Sequence, residues 1–106
     1  MEKIFKFTVE EIVNDLEKIK RFEFVRDFGT PEQFKEMKNL YRLYSKAMSN
    51  AGIDLFVKFF LIYPKNFSAE SLCKELKWNQ NDLEKVKTEI INFLYVELNN
   101  DKKAVA

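Results

Sequence analysis

A chain of 106 residues, 46% of them apolar, has material for about one domain with a modest core, and its eleven Phe, four Tyr and one Trp argue against disorder. The formal charge of +1, from 18 basic and 17 acidic side chains, excludes the overall basic excess of a dedicated polyanion binder. No histidine, one cysteine and two glycines leave no imidazole base, no internal disulfide and no glycine-rich phosphate loop.

Few turn residues and many Lys, Glu, Leu and Phe point to helices. No secretory signal is read in Met1 to Phe7, which has neither a long apolar core nor a small-residue cleavage site. Thr8-Val9-Glu10-Glu11 has the form of a capping box, and Val9, Ile12, Val13, Leu16 and Ile19 then recur at helical spacing. The pattern predicts a helix over about 9–22; Phe22, Phe24, Val25 and Phe28 follow, over which the helix either continues or breaks before Gly29. Thr30-Pro31-Glu32-Gln33 is the clearest start signal: Thr30 caps, Pro31 takes the first helical position and Gln33 completes a box. Phe34, Met37, Leu40, Tyr41, Tyr44, Ala47 and Met48 form the stripe of a helix over 31–49, stopped where Gly52 takes the left-handed conformation.

The next helix, about 54–63, is apolar nearly all round, which predicts a central strut with neighbours on most sides. Its window from Ile53 to Tyr63 is 11 residues with Asp54 and Lys58 inside, against about 20 apolar residues for a bilayer span. Pro64 ends it. Ser68 caps a helix over 69–77 with Leu72, Cys73 and Leu76 inward. Asn79 or Asn81 caps the last helix, about 82–98, and Asn81 with Glu84 forms a box. Leu83, Val86, Ile90, Phe93, Leu94 and Leu98 give its inward stripe, and residues 100–106 read as a flexible tail. The expectation is an all-α chain: one five-helix domain over 1–99, its last three helices forming a tri-helical unit.

Charge is uneven. Residues 17 to 46 hold eight basic against five acidic side chains, whereas residues 68 to 106 hold six Lys against seven acids. Cys73 reads as a small apolar core residue with no His partner. Glu10, Glu11, Asp15 and Glu17 cluster as a solvated helix face, not as a buried acid–base pair. Phe22, Phe24, Phe28, Phe34, Tyr41 and Tyr44 flank Arg21, Arg26, Lys38 and Arg42; such interleaving can stack single-stranded bases, but at helical spacing the rings read first as core. A surplus of rings left outside would mark a protein partner or a symmetric dimer.

Over Phe67 to Phe93 the chain resembles the helix-turn-helix, or winged-helix-like, superfamily. Leu72 and Leu76 match its paired leucines, Trp78 its turn residue, and Leu83 the residue that locks the following helix. Lys77 stands where a glycine is common, Val86 replaces the apolar residue expected at Lys87, and no hairpin wing follows Tyr95. The resemblance implies that Gln80, Asn81 and Lys85 enter a DNA groove and that Lys74, Lys77 and Lys87 meet phosphates, with Asp82, Glu84 and Glu89 opposing them. Lys38 and Arg42 add nonspecific phosphate attraction from the 31–49 helix.

The sequence therefore points to a non-catalytic, cytoplasmic regulator that binds DNA as a homodimer, without metal, cofactor or membrane. The alternative is a small helical inhibitor that blocks a partner protein, of the immunity or phage anti-defence type. Its abundant Lys and Asn suit an AT-rich genome such as that of a low-GC bacterium or its phage.

Overall fold

Two capping boxes fix the first half of the chain as expected. The Glu11 amide donates to Thr8 Oγ1 (3.0 Å) while the Thr8 amide donates to Glu11 Oε1 (2.9 Å). Thr30 and Gln33 repeat the exchange at 3.1 and 2.9 Å. Each box satisfies two of the amides that a helix start leaves without partners. The computed structural model describes residues 7–100. Within them the helices are α1 (Val9–Ile19), α2 (Phe22–Phe28), α3 (Pro31–Met48), a 3-10 turn (Ser49–Ala51), α4 (Ile53–Ile62), α5 (Ala69–Leu76) and α6 (Gln80–Leu98). No strand occurs among the described residues.

Six α-helices stand where five were expected, because the first breaks. α1 ends at Ile19, the Lys20 amide donates to Leu16 O, and the backbone turns at Arg21 before α2 starts. The break carries no glycine or proline. What holds α2 in its new direction is long-range: the Phe22 ring lies 5.7 Å from Phe34 and 5.0 Å from Tyr41, both on α3. The second departure is at Gly52. The α3 helix stops at Met48, the 3-10 turn follows, and Gly52 sits at φ 96°, ψ 155°. That positive-φ region favours glycine, though it is not the left-handed helical one expected. A Cβ there would meet nothing within 4 Å, so the constraint is conformational alone.

The expected central strut is displaced. On α4 only Phe59 and Ile62 are buried, while Ile53 is 81% and Val57 45% exposed. The helix touching α1, α3, α4 and α5 is α6, which buries Leu83, Val86, Ile90 and Leu94. Uniform apolarity exceeded what the neighbours of α4 cover, whereas the stripe of α6 buries four of its six residues and half-buries Phe93 and Leu98. Ile12, Leu16 and Ile19 of α1 and Tyr44, Ala47 and Met48 of α3 complete the same core. Fully burying a side chain of this size contributes about 1.5–3 kcal/mol.

No charged side chain is buried among the described residues. Two phenols are, and they differ. Tyr44 Oη donates to Asp15 Oδ2 at 2.7 Å, tying α3 to α1. The Tyr63 ring lies tilted against Phe59, 5.9 Å between centroids, and its hydroxyl has no hydrogen-bond partner among the described residues. Burial pushes both phenols above the usual tyrosine range, and the Asp15 carboxylate pushes Tyr44 further. At the far end Asn99 clasps the two ends of the described chain. Its Oδ1 accepts from the Phe7 amide at 2.8 Å and its Nδ2 donates to Phe7 O at 2.9 Å. Residues 101–106, most of the expected tail, lie outside the described residues, as do 1–6.

Candidate nucleic-acid interface

The corner between α5 and α6 is built from three local devices. Ser68 Oγ accepts from the Ser71 amide at 3.1 Å, starting α5. After Leu76, Lys77 takes the left-handed conformation (φ 59°, ψ 39°), and the Trp78 amide reaches back to Cys73 O at 3.0 Å. This is a Schellman-type stop, with a lysine where glycine is usual. Trp78 then packs its ring on the core, with Lys58 Nζ 5.8 Å from the ring centroid. Asn79 and Asp82 exchange hydrogen bonds at 3.0 and 2.9 Å to start α6.

That last box corrects the expected one between Asn81 and Glu84, and α6 accordingly begins at Gln80 instead of 82. The segment Asn79-Gln80-Asn81-Asp82 with Glu84 offers two overlapping boxes. The earlier one brings Leu83, Val86 and Ile90 into the core together. Asp82 is spent on the cap, leaving Gln80 and Asn81 exposed. Of the four residues expected to clasp the corner, Leu72 and Leu83 are buried and Trp78 is half-buried. Leu76, expected inward, is exposed, and Cys73 is half-buried.

The eight candidate contacts do not form one surface. Asn81 and Lys85 line one shallow depression with Glu84 and Thr88. Lys87 is half-buried and turns elsewhere, into a small cleft with Lys20, Leu72 and Leu83. Lys74, Lys77 and Gln80 are exposed outside both. Lys38 and Arg42 line a separate depression of about 440 Å³ on α3, together with Lys46, Phe22, Tyr41, Ser45 and Ser49.

The depression at Lys85 holds one cation against Glu84, whereas the one on α3 is lined by three cations and no acid. Around Lys85 the exposed charges on α6 include Glu84 and Glu89. On α3 the exposed cations Lys35, Lys38, Arg42 and Lys46 are all free of carboxylate partners among the described residues. Lys38, Arg42 and Lys46 follow at four-residue steps, so each rises about 6 Å beyond the last along one face. Opposite-facing positions of the same helix, Tyr44, Ala47 and Met48, are in the core. Lys38 also stands 5.0 Å over the Phe34 ring. No family model, curated protein or solved structure matches this chain.

Lys35 and Lys46 were not singled out as candidate contacts, although the four-residue spacing of Lys38, Arg42 and Lys46 was a readable signal. The aromatics flanking these cations divide. Tyr44 is buried, Phe22, Phe34 and Tyr41 are half-buried against one another, and Phe24 (54% exposed) and Phe28 (75%) pair outside at 5.2 Å. Among the described residues no group of three His, Cys, Asp or Glu is gathered that could hold a metal ion. No described helix is long and apolar enough to cross a membrane.

Proposed function

We propose that this protein is a non-catalytic regulator that binds nucleic acid, with its phosphate contacts on α3. The observation that carries the reading is the row Lys35, Lys38, Arg42 and Lys46, exposed and unpaired on the side of α3 away from the core. Unpaired cations along a rigid helix release counterions when they meet a phosphate backbone, the main source of nonspecific affinity. The net charge of +1 is no obstacle, because the field that a backbone meets is local.

In this reading α4, α5 and α6 form the helix-turn-helix-like unit of the sequence resemblance, and the α5–α6 corner is chiefly structural. Its exposed polar groups, Gln80, Asn81 and Lys85, sit beside Glu84 and Glu89, which oppose a phosphate surface. The salt dependence of binding tests the assignment. Four phosphate contacts give a slope of log K against log salt of about −3.6 on duplex DNA, or about −2.8 on a single strand. Between 50 and 200 mM salt the duplex affinity should therefore fall on the order of 150-fold. The Lys38→Gln/Arg42→Gln pair should halve the slope, and Asn81→Ala/Lys85→Gln should leave it within about half a unit. Loss of binding in the second pair alone, or none at low salt by the parent protein, overturns the proposal.

A further inference from the structure

The groove between the end of α1, α2 and α3 has a volume of about 530 Å³ and shares no side chain with the basic depression on α3. Its floor is apolar, made by Met37 and Leu40 of α3, and its outer wall is the Phe24–Phe28 pair of α2. α2 buries no residue fully, so a seven-residue helix spends two phenylalanines on solvent. Exposed rings beside a concave apolar floor lower their free energy by accepting a partner.

The rim says what kind of partner. Lys18 and Arg21 stand at the α1 side of the groove, and neither is paired with a carboxylate among the described residues. Arg21 instead lies over the Phe24 ring, 5.3 Å from its centroid, which holds its charge at the groove's edge. The other cation of this helix, Arg26, is neutralised by Asp27 at 3.0 Å and lies outside the groove. Glu36, on α3, is the one acid lining it. Phe24 and Phe28 are one helical turn apart, a pitch of about 6 Å that matches apolar anchors four residues apart on a second helix.

We infer that this groove docks an amphipathic helix of a partner protein, with apolar anchors at four-residue spacing on Phe24, Phe28, Met37 and Leu40 and carboxylates on the flank facing Lys18 and Arg21. The occupant is set by charge complementarity. A second copy of this chain would bring one Glu36 against the two cations Lys18 and Arg21, fewer carboxylates than an acidic helix offers.

The test uses two synthetic amphipathic peptides of about 14 residues, long enough for nearly four turns. They share leucine anchors and differ only in carrying Glu or Lys at the flanking positions. Fluorescence anisotropy at low salt should give the Glu peptide about five- to ten-fold tighter binding, the scale of two rim ion pairs. Arg21→Glu should abolish that preference, and Phe28→Glu should weaken both peptides without changing the circular dichroism of the free protein. Equal binding of the two peptides, each still lost with Phe28→Glu, leaves the groove a docking site but overturns its acidic occupant. Failure of both peptides overturns the groove, as does concentration-dependent sedimentation that Phe28→Glu removes, since the occupant is then a second copy. None of these results bears on the nucleic-acid reading, whose four cations on α3 all lie outside this groove.

Discussion

Lys77 offers the sharpest check of the α5–α6 corner. Its left-handed backbone costs a residue with a Cβ about 1–2 kcal/mol relative to glycine. The side chain is exposed and makes no ion pair among the described residues, so removing it loses little contact. Against the relief stands the greater freedom of glycine in the unfolded chain, about 0.4–1 kcal/mol. Lys77→Gly should thus stabilise the protein by about 0.5–1 kcal/mol, raising Tm by roughly 2–8 °C for a domain of this size. Lys77→Ala keeps the Cβ and with it the strain, so it should move stability by less than about 0.5 kcal/mol. Urea and thermal unfolding followed by circular dichroism read both variants, with an unchanged m-value confirming that the native and unfolded states are otherwise the same. A glycine variant no more stable than the parent would show that residue 77 does not turn through the left-handed region. The Schellman-type stop of α5 would fall with it.

The remaining expectations concern single hydrogen bonds. Tyr44→Phe should cost about 1–2 kcal/mol, because it strips Asp15 of its phenol donor, while Tyr63→Phe should be neutral or slightly stabilising. Equal losses in urea titration would contradict the assignment of partners. Both phenols titrate in the unfolded chain near 10.0 and later in the folded one, so the unfolded state sheds its protons first and stability falls as pH rises past that value. Tyr63→Phe should make this alkaline decline shallower by up to about 1.4 kcal/mol per pH unit, and an unchanged slope would count against burial of that hydroxyl. At the start of α6, Asn79→Ala should cost about 1 kcal/mol and Asn81→Ala under about 0.5. The reverse order would restore the later capping box.

What could be read from the chain was what depends on near neighbours. The Thr8–Glu11 and Thr30–Gln33 boxes, the Ser68 cap and the Pro64 boundary all act over three or four residues, and each stands where its residue types place it. What escaped depends on distant partners. A break before Gly29 was one of two readings, but no glycine or proline marks its place at Lys20–Arg21, where the Phe22 ring meets Phe34 and Tyr41 on α3. The uniform apolarity of α4 could not say which side lacked neighbours, and that side carries the exposed Ile53 and Val57. The candidate site shows the same division. Lys38 and Arg42 were legible as a basic helix face, but the separation of that face from Asn81 and Lys85 depends on how the helices pack.

The position of α6 has a consequence for how the protein is made. Some sixty residues separate Ile19, which packs in its core, from Gln80, where α6 begins. At a synthesis rate of about 5–20 residues per second, α1 emerges from the ribosome roughly 3–12 s, and α3 roughly 2–6 s, before the helix that covers them. During that interval Ile12, Leu16, Tyr44 and Met48 have no lasting cover, and the nascent chain offers chaperones an oily surface that disappears once the final helix docks.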